Sequence, residues 1–296
     1  MSCPITSRPI CEGVWQLTDV LDNRAYLVAG ARRVLLVDTM FGLGSLRDAV
    51  RALTDLPLTV VLTHRHFDHV GGTYEFGEVL LSELDCGHFG YERALGEHGF
   101  GALVDAGVIG PSEVWAPREA AEPAVELVCE GDVFNLGGLT VEAVSLAGHT
   151  AGSMGYLVRE RRLLLSGDAA TPAMCLFFEE SLSVGAWRAT LEKMEGLSFD
   201  EFYTGHHELG FSRASLASFI ACADAYETTR PMRWQHMMLS QFTGSLRVYD
   251  NGSGDELSFR GIITAELPPA RHHGRRGRKA ANGKGTSGTL ASSALA

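Results

Sequence analysis

The sequence predicts an α/β fold on two observations. Short apolar runs alternate along the chain with stretches whose apolar residues recur at helical spacing. The residues best suited to chemistry stand beside glycine where several of those runs end. A length of 296 residues, with 45% hydrophobic and 21% charged residues, suits a globular chain with a substantial core.

Taken in order, residues 26–29 and 34–37 read as strands joined by a turn at Gly30-Ala31-Arg32, and Asp38 stands where the second one stops. Residues 46–53 place Leu46, Ala49, Val50 and Leu53 on one helical face. Residues 59–62 form a short apolar strand that runs into Thr63-His64-Arg65-His66-Phe67-Asp68-His69, after which Gly71-Gly72 frees the backbone. Between 97 and 123 glycines and prolines interrupt isolated apolar residues; a lid or cap insertion and a packed surface loop fit equally well. Strands are expected again at 125–129, 133–136, 139–146, 154–158 and 163–165. Helices at 186–195 and 213–228 enclose a strand at 201–204, and residues 246–249 and 257–263 read as a late hairpin. From Arg271 on, Gly, Ser, Arg, Lys and Ala dominate, which predicts a disordered tail.

Composition narrows the partners. The formal net charge is −11, and the six basic residues after Pro269 mask a still more acidic body. An acidic body disfavours nucleic acid, whose affinity rests on neutralising phosphates. No run approaches the roughly 20 apolar residues of a membrane span, so no membrane contact is expected. Cys3, Cys11, Cys86, Cys129, Cys175 and Cys222 are scattered without a CxxC pair. With no signal-like apolar run near residue 1, a cytoplasmic location is expected.

Four groups able to bind a metal, His64, His66, Asp68 and His69, lie within six positions. Neutral imidazole and carboxylate are ligands that zinc favours where thiolate is absent. Packing them together in a core without such a purpose would be costly. His149, Asp168 and His206 each follow a glycine just past an apolar strand, where ligand sites of open α/β sheets gather.

As a set, His64-x-His66-x-Asp68-His69, Gly148-His149-Thr150, Gly167-Asp168 and Gly205-His206 resemble the metallo-β-lactamase superfamily, over about residues 14–228. The resemblance implies a four-layer αβ/βα sandwich with metals at one edge of two facing sheets. It implies that His64, His66 and His149 hold one ion, that Asp68, His69 and His206 hold a second, and that Asp168 bridges them. Asp38 resembles the family's structural aspartate, although a turn or helix-cap acid is an equal reading; His207, next after the last ligand position, would stand just behind the metals or against substrate, with solvent exposure at least an equal reading. Two zinc ions are implied, with iron or manganese as substitutes. The implied enzyme is a dinuclear hydrolase whose metal-bound hydroxide attacks the ester, thioester, lactone or amide carbonyl of a small molecule, with Asp68 also handling a proton. Because Asp168 stands where some β-lactamases carry cysteine, the set looks closer to hydroxyacylglutathione hydrolases and lactonases. An iron-dependent persulfide-dioxygenase-like enzyme or a phosphodiesterase on the same fold would use the same residues. The expected organisation is a catalytic domain at 1–230, an extension with the hairpin packed on it at 231–268, and a basic tail at 269–296.

Overall fold

The alternation of side chains along each strand assigns the two faces of two sheets to different layers. In the computed structural model, the residues described are 5–86, 89–110, 121–226, 228, 232–234, 246–250 and 261–265, and the expected tail at 269–296 lies outside them. All of them belong to one compact unit, Met1–Glu266.

The first sheet and its helices run in chain order as β1 (Thr6–Cys11), β2 (Val14–Thr18), β3 (Arg24–Ala29), β4 (Val34–Val37), α1 (Leu46–Leu53), β5 (Leu58–Val61), α2 (Phe67–Val70), β6 (Glu78–Leu81), α3 (Phe89–Asp105) and β7 (Ala124–Leu127). Its strands lie in sequence order, antiparallel from β1 to β4 and parallel from β4 to β7. The chain continues through β8 (Val133–Asn135), β9 (Thr140–Ser145), β10 (Met154–Val158), β11 (Leu163–Gly167), β12 (Ala173–Leu176), α4 (Val184–Gly196), β13 (Glu201–Thr204), β14 (Phe211–Ser212) and α5 (Leu216–Ala225). The second sheet has the order β14-β13-β11-β10-β9-β8. The last strands are β15 (Met232–Trp234), β16 (Leu246–Asp250) and β17 (Gly261–Ala265); β17 joins β12 in parallel, so the third sheet reads β12-β17-β16-β15.

In β4, Leu35 and Val37 face the second sheet, where they pack with Tyr156, Val158, Leu163 and Leu165. Their neighbours Val34 and Leu36 face the other way, onto Leu46 and Val50 of α1. Leu157 and Leu164 likewise turn outward onto Trp187, Leu191 and Met194 of α4 and Phe219 of α5. The result is helices, sheet, sheet, helices: an α/β four-layer sandwich. Strands buried on both faces read as unbroken apolar runs, which is why β4, β5 and β11 were legible.

Some elements depart from the sequence expectation. β1 and β2 precede the first expected strand; β1 carries Pro9 and a register shift between Pro9 and Cys11, as an edge strand tolerates. Helix α3 takes up residues 97–105 of the segment expected to be irregular, despite Gly90, Gly96, Gly99 and Gly101. Its Phe100 and Leu103 bury against Phe41 and Leu43, and this packing outweighs the poor helix propensity of glycine. Residues 111–120 of the same segment lie outside those described. The late hairpin pairs β16 with β17, and residues 257–260 of its expected second strand lie outside those described. Among the described residues, no helix is long and apolar enough to cross a membrane.

Strand direction sets the position of the site. β4 and β5 are parallel; β9, β11 and β13 also share one direction, since β10 is antiparallel to both β9 and β11. Their C-terminal ends lead into Asp38, His64, His149, Asp168 and His206 respectively.

Candidate metal centre

The loop after β5 carries His64 and His66, and the single turn of α2 carries Asp68 and His69. Met154 N–H donates to Thr63 O at 2.7 Å and the Tyr156 hydroxyl to Leu62 O at 2.7 Å, which ties this loop to the opposite sheet. The structure brings all seven expected residues into one cluster. His64 Nε2 and His149 Nε2 lie 3.1 and 2.9 Å from His66 Nδ1. Across from them, Asp68 Oδ2 lies 4.0 Å from His69 Nε2 and 3.4 Å from His206 Nε2. Asp168 stands between the two groups, 3.8 Å from His149 Nε2, 3.6 Å from His69 Nε2 and 3.2 Å from His206 Nε2. The donor atoms fall into three overlapping sets: His64, His66 and His149; His64, His69 and Asp168; Asp68, His69 and His206.

Each buried imidazole is held from behind by a second group. His69 Nδ1 lies 2.9 Å from Asp38 Oδ2, and His149 Nδ1 donates to Cys175 O at 2.8 Å. The Thr63 hydroxyl donates to Asp38 Oδ2 at 2.8 Å and so presents its oxygen to His64 Nδ1 at 3.1 Å. His66 Nε2 lies 2.8 Å from Glu180 Oε1. Outer partners of this kind fix ring orientation and tautomer in metal sites. Asp38 adopts φ 63°, a left-handed conformation that is strained for a residue other than glycine. Its carboxylate is locked there by Thr63 N–H at 2.7 Å and by the Thr63 and His69 side chains. His207 turns to Thr204, its Nδ1 2.8 Å from Oγ1, and takes no part in the three donor sets.

The electrostatics suit cation binding. Burial, reinforced by neighbouring imidazoles, holds His64 well below its usual pKa and His149 down to about 4, so both are neutral with a lone pair free at neutral pH. Burial is the largest single influence on His69 and His206 and opposes their charged form, but the surrounding carboxylates together outweigh it and raise both: Asp168, Asp38 and Asp68 at His69, and Asp168 and Asp68 at His206. Burial would push Asp168 up; His206 and His69 instead hold it well below the carboxylate range. His69 Nε2 and Asp168 Oδ1 are buried without a hydrogen-bond partner and face each other across the cluster. A ring nitrogen and a carboxylate oxygen left this way in the interior fit a cation as their missing partner, one that would take the place of the Nε2 proton.

Access is from one side. His64, His66, His69 and His149 are buried, whereas the Asp68 and His206 side chains are 26% and 31% exposed. Of the aromatic residues near the motifs, Phe41, Phe177 and Trp187 are buried in packing; Phe178 is half-buried with its ring 4.3 Å from that of His66.

Two organising residues were not visible in the sequence. Asp85, buried after β6, accepts from Arg65 N at 3.1 Å, from the Thr150 hydroxyl at 2.8 Å and from Gly152 N at 3.1 Å, and so joins the His66 and His149 loops. Glu180 is the other. Neither belongs to a local pattern; both reach their partners only through the fold.

Gly205 makes room for the cluster. A Cβ there would stand 2.4 Å from His69 Cε1 and 2.8 Å from Asp168 Oδ1. Gly205→Ala should therefore displace two donors and lower turnover by about 10²-fold, the scale of a misplacement of roughly 1 Å. Metal content and rate measured side by side check this; a variant with the parent's rate would mean that the gap tolerates a methyl group.

Two facing sheets, flanked by helices and bearing a His/Asp donor cluster at one edge, define a metal-site α/β sandwich. The family model of the metallo-beta-lactamase superfamily matches residues 18–206, and the chain belongs to that superfamily. The acyl-coenzyme A thioesterase MBLAC2 of Gallus gallus is 33% identical over 183 residues, covering 54% of this chain and 64% of that protein, so the chain spans less than two thirds of that relative. The hydroxyacylglutathione hydrolase of Ruegeria pomeroyi is 28% identical over 211 residues, 71% of each chain. Among solved structures, a metallo-beta-lactamase family protein from Thermus thermophilus shares the fold with a TM-score of 0.54 at 23% identity, over 73% of this chain and 81% of that one.

Proposed function

We propose that this chain is a hydrolase of small-molecule carboxylic esters, with thioesters the foremost class, that works with two metal ions, zinc first among them. The observation that carries the proposal is Asp168 standing between two histidine-rich donor groups that share it. His64, His66 and His149 would hold one ion, Asp68, His69 and His206 the other, and Asp168 both. When bound, such ions supply an ionised water at neutral pH and offset the negative charge that builds on a carbonyl oxygen. The chain's own residues do the rest. The buried histidines exclude bulk water on the closed side, and the substrate carbonyl approaches from the side of Asp68 and His206. Asp68, on that open side, takes up a proton and returns it to the departing thiol or alcohol. The thioester preference draws on the resemblance to an acyl-coenzyme A thioesterase.

The catalytic part is proposed to span 1–230, with 231–268 an extension and 269–296 a basic tail. A cytoplasmic location suits the free thiols of Cys11, Cys86, Cys129, Cys175 and Cys222. Purified protein assayed against thioesters, lactones, β-lactams and phosphodiesters, with metal analysis, tests the proposal. The expected result is thioester or ester turnover that falls about 10²-fold or more on chelation and returns with zinc. Phosphodiester turnover alone, or iron with oxygen uptake, would contradict it.

A further inference from the structure

Five imidazoles surround the cluster, and His66 is the odd one. His64, His69, His149 and His206 turn Nε2 toward their neighbours in the cluster, whereas His66 turns Nδ1. A neutral imidazole carries one N–H, and the ring nitrogen that bears it cannot bind a cation. His66 can offer Nδ1 only if its proton sits on Nε2, and that nitrogen points out of the cluster at Glu180 Oε1, 2.8 Å away. We infer that Glu180 is a positioning residue of this centre: its carboxylate accepts from His66 Nε2–H and so holds the ring with Nδ1 aimed at the site shared with His64 and His149. The inference rests on the reading that this cluster binds metal ions.

The surroundings of Glu180 are built to keep it in place. Arg65, between the two ligand histidines in sequence, sends its side chain away from the cluster, and its Nη2 meets the same Glu180 oxygen at 3.0 Å. Arg65 is itself fixed at its backbone N–H by Asp85 and lies 3.7 Å, at Nε, from the buried Glu92 of α3. Neither Glu92 oxygen accepts a hydrogen bond, and burial pushes its carboxyl up to about 7. Phe178, two residues before Glu180, lays its ring against His66 at 4.3 Å. The segment between β12 and α4 thus holds one imidazole by its edge through residue 180 and by its face through residue 178.

The test measures metal affinity rather than rate. Zinc binding is titrated against a chromogenic chelator, and the cobalt-substituted protein is followed by its visible absorption, which reports the ligands of the ion. Glu180→Ala should weaken the ion at the His64, His66 and His149 group by about 10–100-fold, the usual cost of losing an outer partner, and change the cobalt spectrum, while the second ion keeps its affinity. Glu180→Gln retains an oxygen that accepts from Nε2–H and should stay within about 10-fold of the parent. Should alanine not fold, Glu180→Leu, of similar volume and unable to accept, is expected to show the same loss. Unchanged affinity and spectrum in Glu180→Ala would overturn the inference and leave the metal reading standing. So would equal weakening of both ions together with a lower melting temperature of the metal-free protein, which marks a general structural role. A parent protein that binds neither metal would overturn the metal reading and the inference with it.

Discussion

Asp168→Ala is expected to lower turnover by on the order of 10³-fold and to cut the bound metal below two ions per chain. Loss of one preorganised electrostatic group in an active site already costs about 10²–10³ in rate, and in the proposed centre Asp168 would serve two sites at once. Among the described residues its carboxylate alone lies within 4.0 Å of histidines from both donor groups. Without it, the charge that would offset two neighbouring cations is gone, and His69 and His206 lose the main influence that opposes the effect of their burial. Asp168→Asn keeps the shape and removes the charge, so it should resemble alanine in metal content. Elemental analysis beside initial rates decides the matter. Full retention of two ions in both variants would remove Asp168 from the bridging role.

Trp187→Ala is expected to cost about 3–5 kcal/mol of stability, the range for emptying a large aromatic site in a core. In a domain of this size, that lowers the melting temperature by about 10 °C. The site lies outside the donor cluster yet supports it. Trp187 is 1% exposed, its Nε1 donates to Ala169 O at 2.8 Å just past Asp168, and its ring lies against Gly148 just before His149. Trp187→Phe should lose the hydrogen bond and little of the packing, at about 1 kcal/mol. Denaturation of the metal-free protein separates this effect from ligand linkage. A fall of only a degree or two for alanine would mean that the ligand loops do not lean on this ring.

What was legible in the sequence was what is local. Residues 34–37 and 163–165 are buried on both faces, so their apolar character is unbroken and the strands are plain. His64 to His69 stand together because one loop and one helical turn present them, and His149, Asp168 and His206 repeat the same strand-end position. What stayed hidden is non-local. β12 has only four residues and gains its strand character from β17, far along the chain. Helix α3 is rich in glycine and is recognisable only by the packing of Phe100 and Leu103. Glu180 and Asp85 carry no motif; their roles exist only once the fold brings residues 66 and 180, or 85 and 152, together. Trp187 follows no motif either, and its place in the core exists only because α4 turns it inward.

In the proposed centre, seven side chains would hold two ions around one carboxylate. Anomalous diffraction at the zinc edge, on crystals of the purified full chain, tests it most directly. The expected map has two peaks, one ringed by His64, His66 and His149, the other by Asp68, His69 and His206, with Asp168 between them. A single peak, or density away from these residues, would contradict the account.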